Sequence, residues 1–402
     1  MSDWFAERLA QLRARSLDRH LREISSAQGP VVDLPGKRLI NFSSNDYLGL
    51  ANDARLREAA SAALEEFGVG AGASRLISGT QSPHLQLEAT LAAWKGTEAA
   101  LTFTSGYAAA VGAIPTLVTK GDIVVLDKLC HASLIDGAKL SGATIRVFPH
   151  NHLGKLESHL DWARREHPRN RVLVVTESIF SMDGDRAPLR DIVELKNRFG
   201  ALLLLDEAHA VGVIGENGRG LAAEYGVAEK IDIQMGTLSK ALGVSGGYIC
   251  GSRNLVQWLL NRARSFIYST APPPPLAAAA RAAVEVLRSP EGESRRRRLW
   301  DNIDIAADLL SLTPQSAILP WIVGDEKSAL EIANRLRAEG FLVPAVRYPT
   351  VSKGSARLRV TVTATHSPEQ IRALGAVLQR ISRKQPEPIT ASSTPLNNAA
   401  TA

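Results

Sequence analysis

The sequence predicts an α/β protein with a large domain on a mostly parallel sheet, followed by a small C-terminal α+β domain. Three observations predict it. Between about residues 46 and 290, seven short β-rich runs (AALTFTS, DIVVLD, ATIRVFP, RVLVVTES, ALLLLDEAH, IDIQMGT and GGYICG) alternate with helical patterns, the signature of βαβ units. One run contains four consecutive leucines, as suits a strand covered on both faces. After about residue 290 the order becomes strand, helix, strand, in SAILPWIVGD, SALEIANRLRAEGFLVPAVR and ARLRVTVTATH.

The elements follow in chain order. Residues 1–45 are expected to form an N-terminal helix and a connecting segment leading into LINFSSNDYLGL. The opening, MSDWFAERLAQLRARSLDRHLREI, is amphipathic and charged, without the apolar centre of a signal peptide, and its acidic residues argue against a transit peptide. No run reaches transmembrane length. Residues 46–290 make the large domain. At its end STAPPPPLAAAA places four prolines before an Ala-rich helical stretch. Residues 291–384 make the small domain. The basic run Arg295 to Arg298 follows Ser294 and precedes LWDNIDIAADLL, which reads as a helix start with a solvated basic face. Residues 385–402 lack apolar periodicity and are expected to be disordered. No internal repeat is visible.

Composition limits the function. The chain has 402 residues, 45% of them hydrophobic, which suits a globular protein of two or three domains. Its net charge of +6 is mild and dispersed, favourable to anionic ligands but too weak to imply nucleic acid. Cys130 and Cys250 are too few for a disulfide framework, which points to a reducing cytoplasm.

The chemistry concentrates where the leucine run ends. In LLLLDEAHAVGVIG (202–215) the strand gives way to Asp206, Glu207 and His209, at the carboxyl end where open α/β sheets bind ligands. Further on, GTLSKALGVSGG (236–247) sets Lys240 among small residues with few carboxylates to pair with, so desolvation should lower its pKa toward a nucleophilic amine. Pyridoxal phosphate needs a lysine to carry it, a carboxylate to keep its ring nitrogen protonated, and donors at its phenolic oxygen and phosphate. Each requirement has a candidate.

The wording DEAHAVGVIG, GRG and GTLSKALG resembles the α-oxoamine synthases over roughly residues 20–382. These pyridoxal phosphate enzymes of fold type I condense a small amino acid with an acyl thioester and lose carbon dioxide. The resemblance implies a seven-stranded large sheet and a homodimer with shared active sites. It implies that Lys240 holds the cofactor, that Asp206 pairs with the ring nitrogen, and that His209 and Ser181 approach the phenolic oxygen. His131, in DKLCHASLIDG, would stack over the ring and assist proton transfer. FTSGYAA places Ser105, Gly106 and Tyr107 between a strand and a helix, where N–H groups at the helix start can take a phosphate. Thr237, and Ser269 with Thr270 from the second subunit, resemble further phosphate contacts, and Glu177 resembles a position near the cofactor. Asp183, Gly184 and Asp185 suit a turn. Metal binding there is not expected, because no further ligands at calcium-loop spacing follow.

Substrate residues are expected near the chain ends. An amino-acid carboxylate calls for a guanidinium, and ARLRVTVT offers Arg357 and Arg359 two apart on one strand face, of which the resemblance favours Arg359. Asn45, Arg347 and Thr350 resemble positions lining the substrate pocket. For the acyl donor an arginine of the N-terminal helix is expected, with Arg19 and Arg22 competing and Arg22 preferred. Among the family's reactions, SRLISGT, IYSTAPPP and VRYPTVSKGSARLRVTVTATH look most like the member joining L-alanine to a pimeloyl thioester. Members that use glycine remain the alternative.

Overall fold

A computed structural model describes residues 2–15 and 17–382. The stretch expected to be disordered, 385–402, lies outside the described residues. All seven expected strands form one sheet. Two short strands precede it, β1 (Val31–Leu34) and β2 (Lys37–Asn41). The sheet itself comprises β3 (Ala99–Phe103), β4 (Ile123–Asp127), β5 (Thr144–Phe148), β6 (Val172–Glu177), β7 (Leu202–Asp206), β8 (Ile233–Thr237) and β9 (Gly247–Gly251). Their spatial order is β3-β9-β8-β7-β6-β4-β5, with β9 antiparallel to both neighbours and all other pairs parallel.

Both faces of this sheet are covered, which accounts for the unbroken apolar runs. Because side chains alternate across a strand, Leu203 and Leu205 join one core while Leu204 joins the other. The first core packs the helices at 82–95, 153–166, 189–199 and 274–288. The second holds the helices at 106–117, 132–141 and 253–262. With the parallel strands all running one way, the carboxyl ends of β3, β4, β6, β7 and β8 open on a common edge.

The C-terminal part contains β10 (Ile318–Gly324), β11 (Phe341–Leu342), β12 (Ala345–Val346) and β13 (Ala356–Thr361). One three-stranded sheet has the order β10-β13-β12; the other, β1-β2-β11, joins the two ends of the chain. The expected N-terminal connection is therefore largely a hairpin, with β1 antiparallel to β2 and β2 parallel to β11. Its helix is also shorter than the amphipathic pattern suggests, spanning Ser2–Ala14. Arg19 and Arg22 consequently lie outside any helix.

The arginine run also corrects its expectation. The helix at 290–310 starts at Pro290 under a Ser289 cap, so Arg295 to Arg298 lie inside it. Arg295 donates to the Leu48 and Gly49 carbonyls (3.0 and 3.2 Å) and to Asp53 (2.7 Å). Buried Arg296 donates to the Leu287 carbonyl and to Glu293. Only Arg297 and Arg298 are solvated, because the helix turns its other two arginines inward onto carbonyls that need donors. No described helix is long and apolar enough to cross a membrane.

Candidate active site

Three of the site's ionisable groups stand at or just past strand ends. Glu177 ends β6 and Asp206 ends β7, and the two are register partners. Both are buried. The Asp206 carboxylate accepts from the Ala208 N–H (2.9 Å), which starts the turn carrying His209. Glu177 accepts from the His131 N–H (2.5 Å) beyond β4. Lys240 follows β8, and its Nζ lies 2.8 Å from His209 Nε2.

Crowding ionisable groups away from water perturbs them all. Burial lifts Asp206 above the usual carboxylate range, opposed chiefly by the Lys240 charge. Burial and the Asp206 charge push Glu177 up to about 8. Burial brings the Lys240 amine down to about 8, although Asp206 and Glu177 both favour its charged form. The environment thus differs from the sequence expectation of few carboxylates, yet desolvation still prevails. His209 falls well below its ordinary value through burial and the nearby Lys240 and Arg359 charges, so its ring is neutral at physiological pH. Both carboxyls stay raised although Lys240 is beside them, so the buried cluster lacks a full counter-charge. A cationic heterocycle supplies that charge, so the donor set fits protonated pyridoxal phosphate.

Glu207 departs from the sequence reading of one ionisable cluster. As the next residue after Asp206 it points to the opposite side, where it accepts from Lys95 Nζ (2.6 Å) and from the Ala222 N–H (3.0 Å). Lys95 also donates to the Arg219 carbonyl. Both side chains are buried, and they brace the 207–222 segment behind the site.

The helix start expected to take a phosphate lies beside β8. Ser105 caps the helix at 106–117, its hydroxyl accepting from the Ala108 N–H (3.0 Å). Gly106 fits against Thr237, and a Cβ on Gly247 would sit 2.5 Å from the Ser105 carbonyl, so only glycine lets β9 start this close to the helix end. Thr237 Oγ1 lies near Ser239 Oγ (2.8 Å) and donates to the Gly246 carbonyl (2.9 Å). Tyr107 turns its hydroxyl away, donating to Asp136 (2.7 Å), which leaves only its backbone for an anion. His131 caps the helix at 132–141 by accepting from the Ser133 N–H (3.2 Å), and its exposed ring feels both Asp206 and Lys240. The neighbouring Cys130 is buried beneath.

The paired arginines differ in what they touch. Arg357 donates to Asp183 (2.6 Å) and the Met182 carbonyl, so its charge is already neutralised. Arg359 donates to the Ser181 carbonyl (2.7 Å), Thr361 and Asn45 Oδ1 (3.2 Å), with no carboxylate partner among the described residues. Ser181 thus contributes its carbonyl to holding Arg359. Asp183 and Asp185 do more than turn the chain, since Asp185 Oδ2 lies 2.7 Å from His150 Nε2. Asn45 and nearby Tyr47 arrive on the segment after β2, where Tyr47 Oη lies 2.6 Å from His209 Nδ1 and 3.3 Å from Asn45 Oδ1. Tyr47 went unnoticed in the sequence because a tyrosine followed by apolar residues reads as ordinary core.

Other expected residues sit farther out. Thr350 is exposed in a turn closed onto the Arg347 carbonyl (3.0 Å). Exposed Arg22 shares a cavity of about 320 Å³ with Lys37 and Arg337, and its charge helps to lower Arg337. Thr270 bridges Ser74, and Ala271 donates to the Ala73 carbonyl, so within one chain the Ser269–Thr270 pair leads to the 73–80 segment and not to Lys240.

Residues 37–378 match the family described as aminotransferase class I and II. The chain is 46% identical over 390 residues to 8-amino-7-oxononanoate synthase of Geobacter sulfurreducens, covering 96% of this chain and 99% of that protein. It is 48% identical to the enzyme of that name from Anaeromyxobacter dehalogenans, covering 94% and 96%. Among solved structures, serine palmitoyltransferase of Sphingomonas wittichii superposes with a TM-score of 0.89 at 32% identity, covering 95% and 96% of the two chains. An 8-amino-7-oxononanoate synthase from Francisella tularensis superposes with a TM-score of 0.71 at 27% identity, covering 85% and 98%.

Proposed function

The chain belongs to the class I and II aminotransferase family, alongside the 8-amino-7-oxononanoate synthases, and from that premise we propose the reaction and the roles of its residues. It is a pyridoxal phosphate-dependent acyltransferase that condenses L-alanine with a pimeloyl thioester, on coenzyme A or a carrier protein. The products are 8-amino-7-oxononanoate, the free thiol and carbon dioxide, a step of biotin biosynthesis. The observation that carries this reading is the Lys240 amine, lowered to about 8 and set against His209 beside two buried carboxylates.

When bound, the cofactor supplies an electron sink that lets a carbon bearing an amine lose a proton. In this reading Lys240 holds its aldehyde carbon and Asp206 its ring nitrogen. His209 and Ser181 face the phenolic oxygen, and His131 covers the ring with Glu177 behind it. Ser105, Gly106, Thr237 and the Tyr107 backbone take the phosphate. Arg359 receives the alanine carboxylate, because it is the member of its pair without an acidic partner. Lys240, freed when the alanine amine takes its place on the cofactor, would take the α-proton, with a pKa close enough to neutrality to accept it and return it. The α-carbon bonds to the acyl carbon as the thiolate leaves, the bond to the carboxylate then breaks to release carbon dioxide, and Lys240 restores a proton to the same carbon. Asn45, Arg347 and Thr350 line the pocket, and Arg22 meets the anionic acyl donor.

A homodimer is part of the proposal. Ser269 and Thr270 lead away from their own Lys240, and Ile77 and Tyr268 on the adjoining segments are exposed apolar surface, which supports their completing a partner's site. Two buried, unpaired cysteines support a cytoplasmic setting.

Thiol release measured with alanine plus pimeloyl-CoA, against glycine plus acetyl- or succinyl-CoA, tests the reaction. Preference for alanine and pimeloyl-CoA is expected. Preference for glycine moves the chain to another member of the family, and amino transfer to a 2-oxo acid without thiol release overturns the acyltransferase reading.

A further inference from the structure

We propose that, in the cofactor-loaded protein, Tyr47 is a positioning residue that donates its phenolic proton to His209 Nδ1 and so fixes the His209 tautomer with its proton on Nε2. The inference rests on the cofactor reading above.

Two arrangements satisfy the ring, and the partner of Nε2 decides between them: a charged Lys240 amine can only donate to it, whereas a phenolate oxygen can only accept. A neutral imidazole has one N–H and one lone pair, and which nitrogen carries the proton is set by the partner of the other. Nδ1 has Tyr47 Oη at 2.6 Å, and Nε2 has Lys240 Nζ at 2.8 Å. The single phenolic proton has two acceptors in reach, and the short contact is the one to His209. The other, Asn45 Oδ1, lies 3.3 Å away and already accepts from Arg359. Burial raises the Tyr47 hydroxyl above its ordinary value, so it stays a donor. Burial together with the Lys240 and Arg359 charges keeps the ring neutral, so there is one imidazole proton to place.

Tyr47 cannot swing away. Its ring is fully buried, its N–H donates to the Asn45 carbonyl (2.8 Å), and its own carbonyl accepts from the Ala364 N–H (2.8 Å). The preceding Asp46 carboxylate holds the Leu50 and Ala51 N–H groups, so the turn is closed on both sides. An Nε2–H aimed at the Lys240 side suits a phenolate oxygen, which can only accept. The opposite tautomer would set a lone pair against that oxygen. Fixing the partner of a working histidine is how outer residues choose tautomers at other buried sites.

Two measurements test this. In cofactor-loaded, histidine-labelled protein, the nitrogen resonances lost on His209→Asn should be those of an Nε2-protonated ring in the wild type. An Nδ1-protonated ring overturns the proposal whether or not any Tyr47 variant folds. In cofactor-loaded Tyr47→Phe, the pH midpoint of the visible absorption band should rise by about half to one unit, the worth of one hydrogen bond. Combined with His209→Asn, Tyr47→Phe should add no further shift. An unchanged midpoint in Tyr47→Phe, or an equal shift without His209, overturns the proposal. A wild type that stays colourless with added cofactor fails earlier, at the functional reading.

Discussion

Asp206 and Glu207 are successive acids at the end of one strand, both buried, yet their surroundings could hardly differ more. Glu207 faces a lysine at 2.6 Å and a backbone donor, a closed set that ties the 207–222 segment to the helix at 82–95. Asp206 shares its side of the sheet with Glu177 and one lysine, and all three are shifted toward their neutral forms. The contrast separates burial that stabilises the fold from burial that prepares a site. A satisfied pair holds structure. A cluster lacking a charge reserves free energy for a ligand that brings it.

Breaking the open cluster should give the largest effect. Lys240→Ala is expected to lower turnover by about 10⁴-fold, roughly 5.5 kcal/mol of barrier, and to lose its colour on dialysis while melting near the wild-type temperature. Asp206→Asn should retain the cofactor and lose about 10³-fold in turnover. Near-normal thiol release by either variant would contradict the roles given to them.

Breaking the closed pair should act on folding. Lys95→Met leaves Glu207 buried without its partner and should cost about 3 to 5 kcal/mol in a denaturant titration. If stability holds while turnover falls, the two regions are not divided as described.

A smaller effect sharpens the same contrast through pH. Glu177 titrates near its ordinary 4.5 when unfolded and at about 8 in the folded apoprotein, so between those values the folded state holds more protons. Its contribution to stability therefore declines as pH rises through that window. Glu177→Gln should flatten the corresponding fall in melting temperature. An identical pH profile in the variant would show that Glu177 does not titrate in that range.

Much of this arrangement is legible in local sequence. Each expected strand of the large sheet is present because alternation of helical and apolar patterns is a property of short windows, and Lys240, Asp206 and His209 converge because each follows a strand of one parallel sheet. Other features depend on partners far along the chain. β2 pairs with β11, Arg295 reaches the carbonyls of Leu48 and Gly49, and Arg357 is spent on Asp183 while Arg359 remains without an acid.

The sequence by itself determined the α/β class and the strand-end residues that mark the site, since periodicity and spacing are local quantities. Only the tertiary structure decided that Glu207 belongs to a brace, that the N-terminal connection is a hairpin, and that Tyr47 reaches His209 across 162 positions of chain. The reason is that hydrogen bonds act over about 3 Å of space whatever the separation in sequence, so a polar group's partner is known only once the chain has brought it there.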